Sequence, residues 1–289
     1  MRKAAVDIGT NTFHLLIADI TDDRITQKIF SQRIFVYLAE DGINHFSSGV
    51  LKRVFEALHI FKRACLNHDV EDVIFVGTSA MRNANNSHTI SEKVMEVFKK
   101  EVYVVSGSIE AQIIAKGVEL ATSQLEGSKL IMDIGGGSVE IIMESDGIYH
   151  FQSLPIGISR LYKKFHESDP ISPTALYEMN QFIREKVLEG QMITGAQNFI
   201  GVAGSFEILS SRASTTLEEF NKAMPMRLLE EMCMLDFHAR EIHHAIPTER
   251  AFYIIEALSL MTEILAIFDF EQHWVCPFSL KEGALFYNF

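Results

Sequence analysis

Two short segments of this sequence carry residue types that can wrap a phosphate. Gly9-Thr10-Asn11-Thr12 and Gly135-Gly136-Gly137-Ser138 are turns of glycine and small polar residues. Such turns expose consecutive backbone N–H groups without a blocking Cβ, and concavities of this kind bind oxyanions. The Thr12 and Ser138 hydroxyls add short donors. An aspartate precedes each turn, Asp7 and Asp133, and Glu140 follows Asp133 on the far side of its turn. A carboxylate beside a phosphate pocket calls for a cation, and Mg²⁺ takes one or two carboxylates with water and substrate oxygens. Read alone, each turn is also an ordinary β-turn, and each acid a turn cap or a solvated strand end.

Two more residues invite a chemical reading. Arg82, in Thr78-Ser79-Ala80-Met81-Arg82, has the planar fork of a bidentate phosphate clamp, or is a surface arginine. Glu110, in Gly107-Ser108-Ile109-Glu110, is most simply a first-turn carboxylate that favours a helix N-terminus. At the edge of a phosphate site it would be a general base. The 11 His show no metal-ligand spacing, and His-Glu-x-x-His, Gly-x-Ser-x-Gly and the Gly-x-x-x-x-Gly-Lys-Ser/Thr loop are missing. Met224, Met226, Met232 and Met234 read as soft core packing.

The elements that must position these residues follow from patterning. Lys3–Ile8, Phe13–Ile20 and Ile25–Phe30 read as strands, and Ser48–Asn67 as an amphipathic helix. Short buried strands are expected at Val73–Val76 and Val102–Val105, then a helix from Gly107 to Leu120. The polar stretch Thr122–Ser128 reads as a connection. The pattern then restarts with strands at Leu130–Ile134, Val139–Met143 and Ile148–Ser153. Helices at Ser159–His166 and Pro173–Leu188 and a strand at Phe199–Val202 lead to Ala203-Gly204-Ser205. The remainder reads as mostly helical, through Leu228–Phe237 and Thr248–Phe268 to a last helix near Leu280–Tyr287.

The restart is an internal repeat. Val6–Ile17, VDIGTNTFHLLI, aligns with Met132–Met143, MDIGGGSVEIIM, at an offset of 126 residues (Asp7 to Asp133). Each copy opens a region of similar length, as a duplicated domain would.

Composition bounds the partners. With 26 Lys and Arg against 38 Asp and Glu, the net charge is −12. That sign argues against a general DNA-binding surface and requires any polyanion to be held locally, with Arg33, Arg82, Arg160 and Lys163-Lys164 as candidates. Cys65, Cys233 and Cys276 are scattered and odd in number, which fits free thiols in a reducing cytoplasm. The apolar stretch Ala251–Phe268 is interrupted by Glu256 and Glu263, so a buried helix is expected and not a membrane span.

The segments AAVDIGTNTFHLLIADI, VGTSAMR, VVSGSIEAQIIAKGVE, LIMDIGGGSVEIIM, SLPIGISRLY, GVAGS and SLKEGALFY occur in this order. Together they resemble the exopolyphosphatase / guanosine pentaphosphate phosphohydrolase family, in the superfamily of actin, sugar kinases and Hsp70. The resemblance implies an α/β fold of two duplicated, actin-like (ribonuclease H-like) domains, 1–117 and 118–289, with a cleft between them. The last helix is allowed to pack back on the first domain, and no additional C-terminal helical domain is expected. It implies a cytoplasmic, Mg²⁺-dependent hydrolase of polyphosphate or guanosine pentaphosphate, with room for a homodimer. Glu110 stands at the family's catalytic glutamate. Asp133, Glu140 and Asp7 stand at metal-linked acids. Arg82, Thr10, Asn11, Thr12, Gly135, Gly136, Gly137, Ser138, Gly204 and Ser205 stand at phosphate-binding positions. Ile109 replaces an acid that often precedes the catalytic glutamate, and the aromatic stretch from Arg33 to Gly42 replaces a basic one. A non-hydrolytic guanosine polyphosphate sensor and a superfamily ATPase or kinase are the alternatives.

Overall fold

The computed structural model describes residues 1–190, 195–210 and 216–289. Its strands are β1 (Arg2–Ile8), β2 (Thr12–Ile20), β3 (Ile25–Phe35), β4 (Asp72–Gly77), β5 (Val102–Val104), β6 (Lys129–Ile134), β7 (Val139–Ser145), β8 (Ile148–Leu154), β9 (Asn198–Val202), β10 (Glu218–Glu219) and β11 (Gln272–Cys276). The α-helices are α1 (Ser48–Asn67), α2 (Ser79–Asn83), α3 (His88–Phe98), α4 (Gly107–Thr122), α5 (Ile158–Phe165), α6 (Pro173–Glu189), α7 (Ala203–Phe206), α8 (Met224–Cys233), α9 (Phe237–Glu241), α10 (Ile254–Ile267) and α11 (Leu280–Ala284).

The chain forms two compact units. One comprises Met1–Leu120 with Phe278–Phe289, the other Ala121–Pro277. A division at 117/118 runs the second domain to the C-terminus, whereas here the last twelve residues belong with the first unit. Close packing explains this return. A Cβ on Gly117 of α4 would stand 2.1 Å from the Ser279 carbonyl oxygen, and one on Gly283 of α11 would stand 1.8 Å from that of Ile113. Only glycines let these backbones meet.

Each unit is built on one sheet. The first has the order β3-β2-β1-β4-β5 and the second β10-β11-β9-β6-β7-β8. In both, three antiparallel strands are followed by two parallel ones, and in the second the short β10 adds an antiparallel edge. The repeat is therefore physical, and its offset persists beyond the hairpin: Lys3 pairs with Asp72 and Lys129 with Asn198, each partner 126 residues on.

Apolar periodicity places the helices. On α1, Val50, Val54, Leu58 and Phe61 are buried along one face, and the Ser47 hydroxyl accepts the Val50 N–H at 3.4 Å as N-cap. They pack with Phe75 of β4 and Phe98 of α3 in the first core. The second core collects β6, β7 and β9 with α6, α8 and α10. Residues Ile254–Leu265 of α10 are all buried, Glu256 and Glu263 included. Among the described residues, no helix is long and apolar enough to cross a membrane.

Three sequence expectations change. The helix expected from Thr248 begins as a 3₁₀ turn, Thr248–Tyr253, before α10. The helix expected at Leu228–Phe237 ends at Cys233, and α9 starts anew after an Asp236 N-cap. The C-terminal part read as mostly helical also holds β11, parallel to β9. Its short Trp-Val-Cys run lacks the alternation of a half-buried strand because the successive residues Val275 and Cys276, which point to opposite faces, are both buried.

Candidate active site

In the first unit Arg82 and Glu110, 28 residues apart, meet. The Arg82 Nη1 donates to Glu110 Oε2 at 2.5 Å and to the Val105 carbonyl at 2.9 Å. Two helix starts create the meeting. Arg82 lies on the short helix that directly follows β4, and Glu110 lies in the first turn of α4, with its N–H bonded to the Ser106 carbonyl at 2.8 Å. Glu110 is 6% exposed. A buried carboxylate needs this charge-assisted partner. The helix-cap reading of Glu110 is thus incomplete, since its carboxylate also pairs with the Arg82 guanidinium.

The β1–β2 turn is closed by the Gly9 N–H donating to the Thr12 carbonyl at 3.1 Å, and the β6–β7 turn by the Gly135 N–H to Ser138 at 2.9 Å. In both units the chain leaving the third strand comes back to hold the turn. After β3, the N–H groups of Val36 and Tyr37 donate to the Asn11 carbonyl (2.9 and 3.0 Å), and that of Leu38 to Thr10 (2.7 Å). This gives the aromatic stretch after Arg33 a structural role. After β8, the N–H groups of Ile158 and Ser159 donate to the Gly135 and Gly136 carbonyls at 3.1 and 2.9 Å.

Cross-strand register sorts the acids. Asp133 stands directly opposite Glu140, and Glu140 opposite Ser153, one row across β6, β7 and β8. Asp133 is 8% exposed and Glu140 1%. Ser153 Oγ donates to Glu140 Oε1 at 2.8 Å. The equivalent row of the first unit reads Asp7, His14 and Arg33. Two acids directly opposed on one sheet face repel unless a cation lies between them. Hard oxygen donors in this pairing suit Mg²⁺, whose other ligands are water and substrate oxygens. Among the described residues, no three His, Cys, Asp or Glu side chains gather to hold a metal. The acids named from sequence therefore divide: Asp133 and Glu140 form a pair, while Asp7 stands opposite His14.

Gly204 and Ser205 begin α7 after β9. The buried Ser205 hydroxyl donates to the Ile134 carbonyl at 3.3 Å. In the first unit the Thr78 hydroxyl does the same to Ile8, also at 3.3 Å. Arg250 lies over Gly204, where a Cβ would stand 1.9 Å from its Nη2, and it pairs with Glu207. Ser205 thus braces the end of β6 beside its turn, as Thr78 braces the end of β1. Sequence reasoning had no signal for the Ser153 contact, for the return of residues 36–38, or for the Arg82–Glu110 distance.

The model of the Ppx/GppA phosphatase family matches residues 16–288, and the chain belongs to that family. A solved structure described as an exopolyphosphatase from Cytophaga hutchinsonii is similar over 99% of this chain and 97% of its own, with 28% identity and a TM-score of 0.88. The Aquifex aeolicus member of the Ppx/GppA family shares the fold, with a TM-score of 0.80 at 22% identity, over 99% of this chain and 96% of its own. The two-unit, actin-like α/β architecture is common to these proteins. A guanosine-5'-triphosphate,3'-diphosphate pyrophosphatase of Vibrio parahaemolyticus is 25% identical over 98% of this chain. The chain spans 58% of that relative's length.

Proposed function

We propose that the chain is a phosphoanhydride hydrolase that removes the terminal phosphate of inorganic polyphosphate or guanosine pentaphosphate. The observation that carries this reading is the Arg82–Glu110 pair, a phosphate-type fork and a buried carboxylate at 2.5 Å. Arg82 would hold phosphate oxygens in a bidentate grip. Glu110 would orient the attacking water and take its proton on the carboxylate. The Gly9–Thr12 and Gly135–Ser138 turns would offer N–H groups and hydroxyls to the phosphates. Asp133 and Glu140 would hold Mg²⁺, which supplies neutralisation of charge on the phosphate oxygens. Positioning and electrostatics do most of the work in phosphoryl transfer, so no protein nucleophile is needed.

The test is phosphate release with Mg²⁺ from polyphosphate, guanosine pentaphosphate and ATP, side by side. Release from either of the first two, faster than from ATP, supports the reading. Binding of a guanosine polyphosphate without release would make the chain a sensor, and preference for ATP an ATPase. With a net charge of −12 and few basic side chains near the turns, short substrates should be handled about as well as long chains, with a shallow salt dependence.

A further inference from the structure

The N-terminus of α5 is docked on the second glycine turn, and one side chain completes the docking. Gly157, the N-cap of α5, lies so close that a Cβ there would stand 2.5 Å from Gly136 and Gly137 backbone atoms. The Ile158 and Ser159 N–H groups take the carbonyls of Gly135 and Gly136. The carbonyl of Gly137 is beyond the reach of the next helical N–H, since Arg160 N–H donates back to Gly157 at 2.9 Å. Instead the Arg160 side chain bends over, and its Nε donates to the Gly137 carbonyl at 2.8 Å. Three consecutive carbonyls of the turn are thereby held from one side.

In a trans peptide the C=O and the following N–H point in opposite directions. Holding the carbonyls of Gly135, Gly136 and Gly137 therefore aims the N–H groups of Gly136, Gly137 and Ser138 away from α5. Glycine peptides rotate easily, so without this hold the turn samples orientations in which the three dipoles diverge. We infer that Arg160 is a positioning residue for phosphate recognition: through Gly137 it fixes the peptide that presents the Ser138 N–H. The inference rests on the reading of this turn as a phosphate site. It explains why an arginine serves here, since Nε lies in a rigid plane and is pre-set for one bond.

The experiment uses the full chain, ¹⁵N-labelled, titrated with pyrophosphate while the Gly136, Gly137 and Ser138 amide resonances are followed. In the wild type the three amides should shift together along one binding curve. Arg160→Met keeps the aliphatic stem and removes the donor. It should displace the Ser138 amide resonance before ligand is added and weaken pyrophosphate binding about tenfold, with the unfolding temperature within about 2 °C of wild type. Arg160→Lys restores a donor and should recover part of the affinity, which a purely structural role would not require. Unchanged affinity and an unchanged Ser138 resonance in Arg160→Met would overturn the inference while leaving the phosphate reading intact. Wild-type amides that ignore pyrophosphate would overturn the phosphate reading, and the inference with it. Should Arg160→Met not fold, the Arg160→Lys comparison decides: affinity and resonances identical to wild type, despite a donor set one atom farther out than Nε and free of its rigid plane, also overturn it.

Discussion

The row Asp7–His14–Arg33 in the first unit and the row Asp133–Glu140–Ser153 in the second occupy equivalent rungs of equivalent strands. The backbone is alike to the register of the parallel pair, yet the charges differ. One row runs from an acid to two nitrogen bases. The other sets two buried acids face to face and braces one of them with a hydroxyl. Duplication thus kept the device that aims a hairpin turn and let its flanking chemistry diverge. The second unit is suited to a hard cation. The first carries the Arg82–Glu110 pair, and the residue 126 positions beyond Arg82 in the second is the buried, apolar Ile208.

The largest expected effect breaks the first unit's share. Glu110→Gln keeps the shape of the side chain and removes the base, so kcat should fall by about 10²–10⁴ while substrate binding is largely kept. Steady-state kinetics with a parallel binding assay check this. Near wild-type turnover would leave Glu110 as a helix-start carboxylate.

The next effect separates the two rows. Glu140→Gln should raise the Mg²⁺ concentration needed for half-maximal rate by roughly 10–100-fold. The equivalent change in the first unit, His14→Gln, should leave the Mg²⁺ requirement where it is. Mg²⁺ titrations of both variants make the comparison, and equal shifts would show that the rows have not diverged in function.

A structural perturbation follows in size. Gly157→Ala forces a methyl against Gly136 and Gly137 and should cost about 1–3 kcal/mol in denaturant unfolding. Gly49→Ala on α1, with nothing within 4 Å of the added carbon, is the matched control and should be near neutral or stabilising.

The smallest effect is a pH dependence in the first unit. Burial alone would push the Glu282 carboxyl up, but Lys281, Lys28 and the Ser279 N–H more than offset this and hold it below the ordinary range. A depressed carboxyl contributes stability above its unfolded value, near 4.3, and loses it as pH falls through the folded value. Glu282→Gln should therefore lower the unfolding temperature by about 4 °C at pH 7. The gap should close as the pH falls below about 4. A gap that widens in acid would mean that the carboxyl is not held low.

Much of this was legible in the sequence because it is local. Asp-Ile-Gly followed by small polar residues announces a strand and a turn, and its recurrence 126 residues later announces the duplication. The pairing of Asp133 with Glu140 follows from counting across a tight hairpin. Other features depend on tertiary approach and leave no periodic trace. Arg82 and Glu110 meet only because β4 and β5 lie side by side and each ends in a helix start. The two-residue β10 is too short to pattern. The return of α11 to the first unit depends on a glycine contact between helices more than 150 residues apart. The stretch from Arg33 to Gly42 differs from a basic substrate-binding segment because the N–H groups of Val36, Tyr37 and Leu38 hold the turn while the Val36 and Leu38 side chains are buried in the first core, contacts that composition does not announce.

The central claim, hydrolysis of a terminal phosphoanhydride with Glu110 as the base, is tested most directly by following tripolyphosphate with Mg²⁺ by ³¹P NMR. With the wild-type chain, orthophosphate and pyrophosphate should appear in equal amounts from the first turnovers, and the Glu110→Gln sample should remain unchanged over the same time. Tripolyphosphate left intact by the wild type, or cleaved as quickly by Glu110→Gln, would contradict the account.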